Sequence, residues 1–385
     1  MRQLTPQGRL DAVLSAQAVI PSEGPVGLAV SGGSDSLALL HLTHNWAAPR
    51  GVRLLVLTVD HRLRAEAAGE AQAVCAIARA LGHDHQTLAW AAPQARQSAA
   101  RRARHALLAR ALRGAGGRLL LTGHTACDQA ETVLMRIRQG SGWYGLAGMR
   151  EVSLSPVWPE GQGIRIVRPL IGETRAGLRD GLLALGQAWF DDPSNDNLAF
   201  ERIRMRRLLG RLPGLQARIL ALQKGFAVLR AIEERALACW LEASVRLDTG
   251  QVLADFSTLP PERAARALGL LVQCVSGRET APRSEALAAL ASRILCPEGF
   301  AGATLGGVRL RPVRGRIALS AEAVRITKPP GEAEIAARLT AFRAVFLNLT
   351  QDFAAGSGKE SFLREEAPIL KKEFPLLCEN RDECP

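Results

Sequence analysis

Apolar and polar positions fall into alternating blocks over the first 140 residues. Residues 26–30 (VGLAV), 53–60 (RLLVLTVD) and 118–122 are short runs of mostly apolar residues, and a short strand signal falls near 85–90 (HQTLAW). Helix-permissive stretches follow them, beginning near residues 36, 66, 97 and 128. Runs of this length read as buried strands, and repeated strand–helix units imply an α/β fold with a doubly wound, mostly parallel sheet. From about 212 to 293 the pattern turns helical and rich in Ala, Leu and Arg, with no strand alternation. Residues 303–319 (ATLGGVRLRPVRGRIAL) alternate around glycine and predict a small β unit. These shifts predict an α/β domain over 1–212, a helical domain over 213–298, a small partial C-terminal α/β domain over 299–340 and an atypical tail over 341–385.

Composition narrows the class. With 385 residues and 47% apolar content, the chain can bury more than one core. No apolar run reaches the length of a membrane span, and the first residues are too polar for a secretory signal. Seven scattered cysteines form no CxxC pair, which suits a reducing, cytoplasmic setting. The net charge is +12, carried by arginine far more than lysine, and such a balance points to a polyanionic partner. The end of the chain differs: residues 351–385 hold eight acidic and five basic side chains. They read either as a flexible acidic end or as a stretch altered by a change of frame.

Chemically capable residues collect where the predicted strands end, which is where open α/β sheets bind ligands. The first run leads into Ser31-Gly32-Gly33-Ser34-Asp35-Ser36 and then a helix. Backbone N–H groups at a helix start favour phosphate; Gly32 and Gly33 permit close approach, and the three serines add hydroxyl donors. Asp35 would repel phosphate unless a metal ion lies between them. The loop has neither GxxxxGK[ST] nor GxGxxG spelling, and the near miss at 356–360 (GSGKE) lacks P-loop spacing. The second run ends in Asp60-His61-Arg62-Leu63-Arg64, where His61 could meet a base and the arginines phosphate. After the fourth predicted strand, Gly123-His124 precedes Asp128 and Glu131, three apart on one helical face. This pair could close a capping box or hold a cation, either Mg2+ or an ammonium substrate; its sheet edge favours the cation. Two arginine clusters remain: Arg96, Arg101, Arg102, Arg104, Arg110 and Arg113 around His105, and Arg202, Arg204, Arg206, Arg207 and Arg211. Few acidic residues accompany them in sequence, which predicts contact with backbone phosphates.

The SGGSDS loop resembles the PP-loop of ATP pyrophosphatases. The ordered set of SGGSDS, VDHRLR at 59–64, ARRARH at 100–105, GHTACDQAET at 123–132 with Arg138 to Gly142, RPLI at 168–171, DPSN at 192–195 and the arginines from 202 is similar to the tRNA(Ile)-lysidine synthetase family. The resemblance implies an adenine-nucleotide α-hydrolase-like fold, ATP and Mg2+ as cofactors, a CAU-anticodon tRNA(Ile) and free lysine as partners, and no membrane; it leaves room for a homodimer. The implied reaction adenylates the wobble cytidine at its C2 oxygen, after which the ε-amine of lysine displaces AMP to form lysidine. By the same resemblance Asp35, Asp128, Glu131 and Arg202 are catalytic. Residues Ser31 to Ser36, His61, Arg104 and His124 bind ATP, with Asp35 holding Mg2+. Asp128 and Glu131 receive lysine, and Arg101, Arg204, Arg206 and Arg207 meet tRNA. Two positions depart from the family pattern: Cys127 stands for an Asp and His105 for a Tyr. A tRNA thiolase of the same superfamily and a catalytically weakened tRNA-binding protein are the competing expectations.

Overall fold

The computed structural model describes residues 5–17, 24–60, 67–90, 97–191, 198–212, 214–296, 300–322, 326 and 329–355. His61, Arg62, Arg64, Arg96, the 192–195 segment and the tail beyond 355 lie outside the described residues.

The amino-terminal unit runs α1 (Pro6–Ser15), β1 (Val26–Ala29), α2 (Ser34–Ala47), β2 (Leu54–Asp60), α3 (Ala67–Ala80), β3 (Asp84–Ala89) and α4 (Gln97–Gly114). It continues with β4 (Leu119–Thr122), α5 (Ala126–Arg138), α6 (Trp143–Leu146), β5 (Val152–Leu154), β6 (Arg165–Val167), α7 (Arg175–Ala184) and α8 (Glu201–Arg211). Its six strands are ordered β3-β2-β1-β4-β6-β5, all parallel except the edge strand β5. Alternation along the central strands β1, β2, β4 and β6 feeds two cores, as a pleated sheet covered on both faces requires. Leu28, Leu54, Val56, Leu119 and Leu121 face one core with residues of α1, α2, α3 and α7. Leu55, Leu57, Leu120 and Ile166 face the other with Ala106, Leu108 and Leu112 of α4. The predicted strands and the doubly wound sheet are present.

The second unit runs α9 (Leu215–Ser244), β7 (Val245–Asp248), β8 (Gln251–Ala254), α10 (Pro261–Ser276), α11 (Ser284–Leu295), β9 (Ala303–Leu305), β10 (Val308–Val313), β11 (Arg316–Ala321) and α12 (Glu332–Ala355). The expectation of a strand-free stretch over 212–293 is corrected here. β7 and β8 form a hairpin whose turn residues, Thr249 and Gly250, both have positive φ, the geometry of a tight two-residue connection. That hairpin joins β9, β10 and β11 in one antiparallel sheet, order β7-β8-β11-β10-β9. Residues from Leu237 to Phe346 accordingly share one core, and the start of the compositionally odd tail packs into it through Val345 and Phe346.

Polar contacts hold the two units together. Glu234 of α9 is fully buried and accepts from Tyr144 Oη at 2.5 Å and from the Arg150 guanidinium, while Arg230 donates to the Gly148 carbonyl at 2.8 Å. Trp158 donates through Nε1 to Glu334 and lies under the Arg338 guanidinium. Among the described residues no helix is long and apolar enough to cross a membrane.

Candidate active site

β1 and β4 are in register, Ala29 beside Thr122, so the loops that follow them leave the sheet side by side. Gly123 makes this close approach possible: a Cβ there would lie 2.8 Å from the Asp35 carbonyl oxygen. The SGGSDS loop caps α2. Gly32 has φ +86°, and a Cβ on it would meet the Phe190 ring at 2.9 Å, so only glycine suits the position. Ser36 Oγ donates to the Gly33 carbonyl at 2.9 Å and receives the Ser31 N–H at 3.2 Å, which closes the loop on itself. The buried Ser34 and the half-buried Asp35 lie in the first turn of α2, at its positive dipole end.

Asp35 accepts from Arg175 Nε at 3.0 Å. Burial pushes its carboxyl above the ordinary value, Asp128 adds to this, and Arg175 opposes both. Across the gap, Asp128 closes a capping box with Thr125 as the cap, not the expected one with Glu131, and also pairs with arginines. Its Oδ2 accepts the Thr125 N–H at 2.8 Å and the Thr125 hydroxyl at 3.1 Å, completing a capping box. Its Oδ1 accepts from Arg202 Nη2 at 2.7 Å and Arg175 Nη2 at 3.4 Å. Burial pushes the Asp128 carboxyl up, but Arg202, the Thr125 N–H and Arg175 outweigh it and hold it below the usual carboxylate value. Glu131, 0% exposed, accepts from Arg202 Nε at 2.6 Å and Arg206 Nε at 2.7 Å. One guanidinium, that of Arg202, thus spans both carboxylates.

Neutral imidazoles and further arginines sit beside them. His124 Nδ1 pairs with the Thr122 hydroxyl at 2.9 Å; burial first, then Arg168, pushes its pKa down to about 3. His105 is buried in α4, and burial with Arg101, Arg104 and Arg168 pushes it down to about 4. Arg168 of the RPLI segment donates to the Arg150 carbonyl and the Ser153 hydroxyl, both at 2.9 Å. Arg101 and Arg104 are lowered by burial and by the charge of Arg202, which places them electrostatically at the same centre. Arg204, Arg207 and Arg211 are exposed on α8.

One inference about the arginine clusters is corrected. The few acidic residues nearby in sequence are supplemented by tertiary partners: Arg102 pairs with Glu279 at 2.8 Å, Arg110 with Glu160 at 2.9 Å, and Arg202 and Arg206 with the α5 carboxylates. Two arginines of each cluster are therefore engaged by carboxylates of the chain itself.

Among the described residues no three His, Cys, Asp or Glu side chains gather as a metal cage. Mg2+ at a nucleotide site needs less, one or two carboxylates completed by phosphates and water. Asp35, beside the phosphate-favouring loop and joined to Asp128 through one guanidinium, is a donor set of that kind.

A model of the PP-loop domain family matches residues 7–212. A tRNA(Ile)-lysidine synthase of Hyphomonas neptunium is 52% identical over 94% of this chain and 98% of its own length. The chain belongs to the tRNA(Ile)-lysidine synthase family. The Ruegeria pomeroyi relative of the same description is 42% identical over 74% of this chain and 70% of its own. Among solved structures, the U34-tRNA thiolase NcsA from Methanococcus maripaludis with its [4Fe-4S] cluster has a TM-score of 0.48 at 16% identity, covering 58% of this chain and 78% of that one; a likeness this distant carries no weight.

Within this family frame, sequence reasoning missed several side chains. Arg175 and Arg179, one turn apart on α7, reach the PP-loop at Asp35 and at Ser34 Oγ (3.3 Å). No motif announced them. Gln129, read as part of DQAET, is structural: it exchanges hydrogen bonds with Met149 N (2.7 Å) and O (2.9 Å) and so pins the turn after α6. Cys127 faces Gln216 of α9, its Sγ 3.8 Å from Nε2.

Proposed function

We propose that this chain uses ATP to adenylate the wobble cytidine of a CAU-anticodon tRNA(Ile) at O2 and then joins free lysine to C2. The product, lysidine, changes codon and amino-acid specificity from Met to Ile. The observation that carries the proposal is the meeting of a PP-loop carboxylate and the α5 carboxylates at one sheet edge, linked by Arg175 and Arg202. In the first step the cytidine O2 attacks the α-phosphate and pyrophosphate leaves. The loop N–H groups and Ser31, Ser34 and Ser36 would bind the phosphates, Asp35 would hold Mg2+, and the metal would neutralise the charge gathered there. In the second step the ε-amine attacks C2, AMP leaves, and the amine gives up a proton.

Asp128 and Glu131 would receive the lysine ammonium groups. The four acceptor positions of Asp128 already carry four donors, and the longest of these contacts is Arg175 Nη2 at 3.4 Å. An ammonium would displace that arginine first. His124, neutral at working pH, offers a ring without adding positive charge beside the lysine. Arg101, Arg204, Arg206 and Arg207 would meet tRNA, with Arg206 doing so while bound to Glu131.

The deciding experiment measures ATP–pyrophosphate exchange with a CAU-anticodon tRNA and then incorporation of labelled lysine. Exchange followed by lysine transfer is expected. Exchange without transfer would assign another nucleophile, and no exchange would leave a tRNA-binding protein.

A further inference from the structure

Arg175 occupies an electrostatically unfavourable place in its own helix. It is the first residue of α7, after the cap in which Thr174 Oγ1 accepts the Gly177 N–H, and no acidic residue stands in that first turn. A cation there faces the positive end of the helix dipole, so helix stability does not account for it. Two carboxylates do. Arg175 Nε donates to Asp35 Oδ2 at 3.0 Å and Nη2 to Asp128 Oδ1 at 3.4 Å. Both acids are fixed by backbone, Asp35 in the first turn of α2 and Asp128 in the first turn of α5, and Gly123 packs the two helix starts together. Like charges held this way need a cation between them.

The two carboxylates are not equally dependent on it. Asp128 also has Arg202 at 2.7 Å, whereas among the described residues Arg175 is the only cation in ion-pair distance of Asp35. We propose that Arg175 is the resident counter-ion of the nucleotide-free site: it holds the cation's place between Asp35 and Asp128 and releases Asp35 when metal and ATP arrive. The inference rests on reading the site as an ATP- and metal-using centre. Once released, Arg175 stays tethered at the PP-loop through α7, whose next turn supplies Arg179 to Ser34. The charge leaving Asp35 then remains beside the triphosphate.

The test uses Mn2+ alone with the full, nucleotide-free chain, following free ion by electron paramagnetic resonance. Arg175→Met removes the competing charge and should bind Mn2+ about tenfold or more tightly than wild type, because a unit charge this close strongly opposes a divalent ion. Asp35→Asn combined with Arg175→Met should abolish the gain. An unchanged or weaker Mn2+ affinity in a folded Arg175→Met protein overturns the proposal, and so does a gain that survives the double substitution. Should Arg175→Met fail to fold, Arg175→Lys serves: its compact ammonium cannot span both acids, and an intermediate gain is expected, no gain refuting the idea. Failure of wild-type lysine incorporation alongside a normal Mn2+ result would count against the lysidine reading and not against this one.

Discussion

Acidification should find a specific weak point at His105. The side chain is 7% exposed, and among the described residues its Nδ1 has no hydrogen-bond partner. Burial, then Arg101, Arg104 and Arg168, pushes its pKa from 6.5 to about 4. A histidine depressed in the folded state stays neutral there while the unfolded chain takes up a proton, so stability is complete above the unfolded value. It is lost as pH falls from about 6.5 towards about 4, and levels off below. With those two values the loss from His105 alone is about 2 kcal/mol at pH 5 and approaches ~3 kcal/mol at the acid limit. The assay is urea unfolding of the wild type and His105→Phe between pH 8 and 5. Phe keeps a ring in the core and removes the titration. The variant's relative stability should rise by about 2 kcal/mol from pH 8 to pH 5. His83, His85 and His124, also depressed, titrate in both proteins and cancel from the difference. Parallel pH curves would refute the burial of a neutral His105 beside Arg101, Arg104 and Arg168.

Three shorter predictions address the rest of the site. Glu131→Gln removes the carboxylate charge that Arg202 and Arg206 share; because both arginines are about one-third exposed and can turn to water, the cost should be about 2–3 kcal/mol, at or below the low end for a broken buried pair. Calorimetry would show it, with partial recovery in Glu131→Gln/Arg206→Met, and an unchanged melting temperature would count against the clasp. Gly32→Ala forces a methyl group against Phe190 at positive φ and should weaken ATP binding at least tenfold by titration calorimetry, while the circular dichroism spectrum stays that of the wild type. Replacing Arg204, Arg207 and Arg211 with Gln should weaken tRNA binding and lower its salt slope by about 2–3; an unchanged slope would remove the outer face of α8 from the RNA footprint.

Much of the amino-terminal unit was legible because its central strands β1, β2 and β4 are short, mostly apolar runs; the edge strand β3 is half polar and exposed, yet it too became a strand. The PP-loop was legible for a different reason: glycines, serines and a carboxylate together at a helix start have few structural uses. The β7–β8 hairpin was missed although Asp248-Thr249-Gly250-Gln251 carries a turn signal, because its strands are four residues each and sit between long helices that dominate the local pattern. Pairings across the fold were not legible at all. Nothing local tells which of Arg202, Arg204, Arg206 and Arg207 turns inward; that depends on α8 lying against α5, more than 60 residues earlier. Arg175 was invisible for the same reason, since its partners belong to two other helices.

The inward and outward arginines of α8 explain how one short helix can serve chemistry and RNA at once. Arg202 and Arg206 are four residues apart, so they share the face that clasps Asp128 and Glu131. At about 100° per residue, Arg204, Arg207 and Arg211 stand roughly 140–200° around the helix from Arg202, and all three are exposed. A phosphate backbone lying on that outer face would press on a helix whose inner face holds the carboxylates proposed to receive lysine. The two faces should therefore separate under mutation. A change at Arg202 should alter stability and lysine transfer with little effect on the salt slope, because its charge is paired with Asp128 and Glu131. Arg206, proposed to meet tRNA as well, should move both. Outer-face changes should do the reverse of a change at Arg202, since those guanidinium groups are exposed and the proposed reading gives them RNA phosphates to meet.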